Sequence, residues 1–292
     1  MIKPAKKEGR KVTFINPMDC IGNYIMPNRN GATNEFSCQV DITETEDYIV
    51  GKKAEGLKGF GLLHVVLTAY TRMLSQRPGI NRYIRGQKVY ARNDIQYSLV
   101  IKKEMKLEAP ETCIKLITEP SATSYTIFDD INQLIEENRG DSEDNGMDKV
   151  AKVLAYIPGV LLKFTVWLLK TMDYFKLLPR FLTIISPFHA SMFITSMQSL
   201  GIPPIYHHLY DFGNCPLFIS IGLPYTKYEL QADGSVVRKR YMEMKIVCDE
   251  RICDGHYYAS ALKLLKRYIE HPECLDTPPK EVIEDNRQKA KK

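Results

Sequence analysis

These 292 residues contain no C-x-x-C pair, no glycine-rich phosphate loop and no internal repeat. The seven cysteines are scattered. The nearest two, Cys248 and Cys253, have no histidine at a zinc-ligand spacing. The six histidines show no ligand pattern either, so no metal site is expected. The charged N-terminal stretch lacks the apolar core of a signal peptide, and with unpaired thiols this predicts a reducing, cytoplasmic setting. The net charge of +5 is mild and gathers at the ends: Lys3, Lys6, Lys7, Arg10 and Lys11 at one, Arg287, Lys289, Lys291 and Lys292 at the other. Without interleaved aromatics these runs read as solvated tails, and no nucleic-acid partner is expected. Apolar runs are also interrupted before the roughly 20 residues that a membrane span requires.

What remains is a globular balance, 44% hydrophobic and 26% charged, enough for one sizeable α/β domain. Residues 1–11 read as a flexible lead, 12–275 as the domain and 276–292 as a charged tail. Alternation over Glu35–Thr43 predicts a half-buried strand, and Gly61–Leu74 a helix buried over most of its girth, stopped by Arg77-Pro78-Gly79. Val89–Lys103 and Thr112–Glu119 read as strands, with a turn at Asn93-Asp94. Tyr125–Arg139 reads as an amphipathic helix, and the polar stretch Gly140–Asp148 as the best interior break. Ser191–Ser196 and Pro216–Gly222 read as buried strands. Lys227–Val247 reads as a hairpin turning at Ala232-Asp233-Gly234-Ser235, followed by a helix over His256–Glu270 that Pro272 stops.

A helical insertion is expected over 149–186. It carries Val160, Leu161, Leu162, Phe164, Val166, Trp167, Leu168 and Leu169 nearly in succession. Lys152, Lys163 and Lys170, eleven and seven residues apart, would share one stripe of a continuous helix. The segment reads either as a helix pair packed on a neighbouring subunit or as an interfacial membrane helix over 153–169 with lysines at the headgroups.

The chemistry-bearing stretch is Asp249-Glu250-Arg251-Ile252-Cys253-Asp254-Gly255, between the hairpin and the last helix. It resembles the H-x-x-x-D-G signature of the chloramphenicol acetyltransferase-like superfamily. The likeness is nearest to the catalytic, acyltransferase domain of 2-oxo-acid dehydrogenase complexes. Leu62–Asn81, ending in RPGIN, is similar to that family's helix with a P-x-x-N turn, and Ala259–Leu275 matches its A-x-x-x-L … P-E-x-L ending. Phe193–Gly201 is similar to the strand that delivers a catalytic hydroxyl. The resemblance implies a mixed β-sheet flanked by helices, the chloramphenicol-acetyltransferase-like two-layer sandwich. It also implies a homotrimer whose active-site channel lies between subunits. Coenzyme A or acyl-coenzyme A is the implied substrate, and a lipoyl-bearing or other protein is a possible partner.

Two departures stand out. Glu250 occupies the position of the family's histidine base, and Asp19, in Met18-Asp19-Cys20-Ile21, stands where the family has an arginine that pairs with the motif aspartate. For a thiol substrate, proton transfer to a carboxylate is about 2 pKa units, or about 3 kcal/mol, less favourable than transfer to imidazole. Glu250 therefore reads either as a weaker base or as a plain ion-pair partner. Asp254 reads as an orienting group and Gly255 as the residue of a tight turn. Thr195, with Ser196 one residue away, falls at the family's hydroxyl position, where one oxyanion donor is worth about 3 kcal/mol. His208, beside His207 in a loop, is a further candidate for the imidazole, as is His256. The implied activity is acyl transfer between a coenzyme A thioester and a thiol or hydroxyl acceptor. The alternative is a catalytically inactive scaffold or binding protein on the same fold.

Overall fold

The computed structural model describes residues 2–13, 17–102, 111–138 and 146–285. Most of the expected break at 140–148 and the basic end Arg287–Lys292 lie outside the described residues. The strands are β1 (Gly9–Lys11), β2 (Thr33–Asp41), β3 (Arg82–Arg85), β4 (Lys88–Arg92), β5 (Ile95–Lys102), β6 (Glu111–Thr118), β7 (Met192–Ser196), β8 (Leu217–Ile221), β9 (Tyr225–Leu230) and β10 (Val236–Asp249). The helices are α1 (Pro17–Ile25), α2 (Thr43–Ala54), α3 (Leu62–Gln76), α4 (Ser124–Glu137), α5 (Gly146–Ala155), α6 (Gly159–Tyr174), α7 (Arg180–Ile185) and α8 (Gly255–Glu270).

The large sheet runs β2-β10-β8-β7-β5-β6, with β9 paired to the first half of β10. β7 lies parallel to both β5 and β8, and the other pairs are antiparallel, so the sheet is mixed. Strand alternation divides it into two faces. On one, Met192, Ile194, Leu217, Ile219, Met244 and Ile246 meet Val65 and Val66 of α3, Ile127 and Ile131 of α4, and Ala261 and Leu265 of α8 in the main core. On the other, Phe193, Phe218 and Val247 form a smaller core with Ala190, Leu209 and Cys215. The expected α/β sandwich of a mixed sheet and helices is thus observed.

Gly234, at φ +84°, closes the β9–β10 hairpin in the left-handed region that glycine tolerates best. The RPGIN turn is held for a different reason. A Cβ at Gly79 would meet the Tyr257 ring at 2.8 Å, and the Gly79 N–H donates to Tyr257 Oη at 2.9 Å. The end of α3 is thereby locked to the start of α8.

Three expectations are corrected. The lead is not free: β1 pairs with β4, Ala5 N–H donates to Asp94, and buried Glu8 bridges Arg92 and Arg85. The C-terminal segment stays packed as far as Asp285, which forms an ion pair of 2.7 Å with Arg82, both side chains 8% exposed. Last, Pro158 separates α5 from α6, so Lys152 does not share a helical stripe with Lys163 and Lys170.

The α6 end is fastened to the body by charge. Asp173 is its one buried residue and lies 3.0 Å from Arg85 and 3.3 Å from His189 Nε2. Glu8 shares Arg85, and those arginines hold its carboxyl well below the usual range despite burial, which acts the other way.

Candidate active site

β10 ends at Asp249, a single 3-10 turn covers Glu250–Ile252, and Asp254 caps α8 by accepting the Tyr257 N–H at 2.8 Å. This aspartate satisfies one of the free amides at a helix start, a structural role. It is exposed, and its charge suits the positive end of the helix. Gly255 differs from expectation. Its φ is not positive and an added Cβ would meet nothing within 4 Å, so the turn does not require a glycine. What the glycine leaves open is the cavity that it lines.

That cavity measures about 280 Å³ and lies between α1, the β2 start and the motif turn. Glu250, Arg251, Cys253, Asp254 and Gly255 line it together with Met18, Asp19 and Asn23 of α1, Asn34 and Phe36 of β2, and Arg82 of β3. The Met18-Asp19-Cys20-Ile21 stretch and the D-G turn therefore face one space, although they lie more than 200 positions apart. Glu250 is exposed in the single chain, and its Oε2 accepts one hydrogen bond of 3.0 Å from Asn34 Nδ2.

The ion pair at this turn is built differently from the expected one. Arg251 does not meet Asp254. Its Nε and second guanidinium nitrogen each donate to Asp249 at 2.8 Å, and its third nitrogen donates to the Met26 carbonyl at 2.7 Å. Arg29 approaches the same carboxylate at 3.6 Å and binds the carbonyls of Tyr210 and Gly213. Asp249 is fully buried, so its charge is sustained by two guanidinium groups and by the Arg251 amide at 3.2 Å. This pair fixes the turn that presents Glu250. Strand alternation gives no signal for this pair, because Arg251 sits in the 3-10 turn beyond the end of β10.

Thr195, Ser196 and His208 lie elsewhere in the chain, and none lines the cavity. Thr195 pairs across the sheet with Ser220, and Ser220 with Lys245. Lys245 is five positions before Glu250 on β10, which with two strand spacings puts Thr195 on the order of 20 Å from Glu250. Thr195 lies on the same face as Phe193, and Ser196 on the face of Ile194. Thr195 begins a polar row that continues through Ser220 and Lys245 to Ser37. Lys245 Nζ donates to Ser37 Oγ at 2.9 Å and to Glu243 at 2.6 Å, and lies 5.0 Å from the Tyr206 ring centre. Alternation alone does not reveal this row, because it runs across four strands.

His208 is exposed and stacks on His207, whose ring lies parallel to Phe218 at 4.1 Å. His256 is exposed at the start of α8. Behind the sheet, Lys115 Nζ donates to the carbonyls of Thr183 and His189 at 3.0 and 2.8 Å, and burial pushes its ammonium down to about 7. No periodicity marks that lysine. Among the described residues, no group of three His, Cys, Asp or Glu is arranged to hold a metal ion.

Residues 222–276, from the end of β8 through α8, match the family of 2-oxoacid dehydrogenases acyltransferase (catalytic domain). The fold is similar to that of solved acetyltransferases. A probable dihydrolipoamide acetyltransferase from Listeria monocytogenes superposes with a TM-score of 0.56 at 14% identity, covering 90% of this chain and 95% of that one. A dihydrolipoamide acetyltransferase from Azotobacter vinelandii gives 0.51 at 12% identity, covering 93% of each. That structure was studied for the catalytic roles of a serine, a histidine and, four residues after it, an asparagine. A chloramphenicol acetyltransferase gives 0.51 at 12% identity, covering 88% of this chain and 94% of its own. No curated protein matches the sequence.

Proposed function

We propose that this chain transfers an acyl group between a coenzyme A thioester and a thiol or hydroxyl acceptor, with Glu250 accepting the proton. The observation that carries the reading is that Glu250 and Asp254, at the separation of the family motif, open together on the cavity beside α8. Asn34 fixes one carboxylate oxygen of Glu250 and leaves the other free to receive a proton. Thr195 and Ser196 are too far away to assist within one chain. A homotrimer supplies the missing hydroxyl from β7 of a neighbouring subunit, and His208 of the same neighbour is the second candidate for the proton. A dihydrolipoyl group on a separate partner is a fitting thiol acceptor. Seven free thiols suit a cytoplasmic setting.

A carboxylate base in place of imidazole predicts turnover lower by roughly a hundredfold than an imidazole base would give. The inactive-scaffold reading has one observation in its favour: the two arginines that line the cavity are committed elsewhere, Arg251 to Asp249 and Arg82 to Asp285, so among the described residues no arginine pairs with Asp254. Coenzyme A release from acetyl-coenzyme A, with dihydrolipoamide or another small thiol as acceptor, separates the two. Glu250→Gln is expected to lower kcat at least tenfold while leaving the trimer intact. An unchanged kcat would remove Glu250 as base and turn attention to His208→Ala. Absence of turnover in the intact wild-type protein would favour the scaffold.

A further inference from the structure

The acyl-transfer reading leaves α6 without a role. Among the described residues nothing covers its outer surface: Val160 is 88% and Trp167 57% exposed, with Leu161, Phe164 and Leu168 exposed beside them. At about 100° per residue, taking Gly159 as zero, Trp167 falls near 80°, Val160 near 100°, Phe164 near 140°, Leu168 near 180° and Leu161 near 200°. Lys163 and Lys170 fall near 40° and 20°, along one border of that arc. The inward side holds Leu162, Leu169, Met172 and the anchoring Asp173. An apolar arc of about 120° with lysines along one border suits a membrane surface, while the opposite side of the helix rests on the body. Crossing is ruled out for the described helices, none of which is long and apolar enough.

Charge selects the occupant. On α6 the charged residues are Lys163, Lys170 and Asp173. The one acid among them is buried against Arg85 and His189, so the exposed charge of this helix is entirely positive. Two copies meeting through this face would set lysines against lysines around a shared axis. A bilayer rich in anionic headgroups meets both halves of the pattern, the apolar arc and its cationic border. We infer that α6 docks the domain on an anionic membrane surface, with Trp167, Phe164 and Leu168 at the acyl-chain boundary and Lys163 and Lys170 among the headgroups. Asp173 fastens the helix to the body and Asp148 ties α5 to Thr112 at 2.8 Å, so docking orients the whole domain.

The full chain supplies its own probe, because Trp167 is its only tryptophan. Vesicles of phosphatidylglycerol and phosphatidylcholine, added to purified protein at low salt, are expected to shift Trp167 emission to the blue and shield it from acrylamide. Pure phosphatidylcholine should do so far less. Replacing both lysines (Lys163→Gln with Lys170→Gln), each near the surface and worth a factor of about five, is expected to weaken binding by roughly thirtyfold. Both are exposed, so the doubly substituted protein should fold normally and keep its circular dichroism. The inference is overturned if vesicles leave the emission unchanged, or if neutral and anionic vesicles bind equally. It is also overturned if Trp167 is already shielded in lipid-free protein, which would mean that another subunit covers α6.

Discussion

Helices α3 and α6 are of nearly equal length, 15 and 16 residues, and both are apolar around most of their girth, yet their surroundings are opposite. In α3 every residue but Leu63 and Gln76 is buried, between the sheet, α4 and α8. In α6 only Asp173 is buried. Composition therefore states that a helix needs cover without stating what provides it. For α3 the cover is the chain itself, and even its polar residues are absorbed: Thr68 and Thr71 donate to the carbonyls four residues earlier. For α6 the described residues of the chain leave the outer face uncovered.

The contrast can be broken at its anchor. Asp173→Ala removes the acid shared by Arg85 and His189 while Glu8 still pairs with Arg85, so the loss should stay below the roughly 3–5 kcal/mol of a fully broken buried pair. Urea denaturation should register that loss, and limited proteolysis should become faster within 156–170. Truncating the α3 core, as in Leu67→Ala, is expected to cost about 2–5 kcal/mol by the same denaturation measurement.

A third difference is pH-dependent. Burial lowers the His64 pKa from 6.5 to about 4, and its Nδ1 accepts the Gly61 N–H at the start of α3. A depressed histidine means that the unfolded chain takes up the proton first. This contribution is present in full above pH 6.5 and is lost as pH falls through about 4, amounting to up to about 3 kcal/mol. Stability measured between pH 7 and 4 should fall more steeply for the wild type than for His64→Gln. The smallest effect belongs to α6: Leu168→Ala should change stability by less than about 0.5 kcal/mol, since that side chain faces solvent in the single chain. A loss comparable with Leu67→Ala would show that α6 is packed in solution.

Legibility in the sequence followed the range of the interactions. The β9–β10 hairpin, the end of α3 and the helix after the D-G turn are set by local alternation, glycine and proline, and their expected bounds agree with the structure within a few residues. Strand β1 is three residues, Gly-Arg-Lys, too short and too polar for any period, and exists because β4 pairs with it. The order of the C-terminal segment through Asp285 rests on Arg82, 203 positions away. At the site, the motif and its cavity partners Met18 and Asp19 were readable through the family resemblance. The Asp249–Arg251 pair and the Asn34 contact to Glu250 were not, because they depend on how the turn leaves the sheet.

Calorimetric titration with acetyl-coenzyme A, on the purified full-length protein, tests the central claim most directly. Acyl transfer at the Glu250 cavity predicts saturable heat at one site per subunit, competed by coenzyme A. No heat from a folded, assembled protein would contradict it and leave the fold without the chemistry of its relatives.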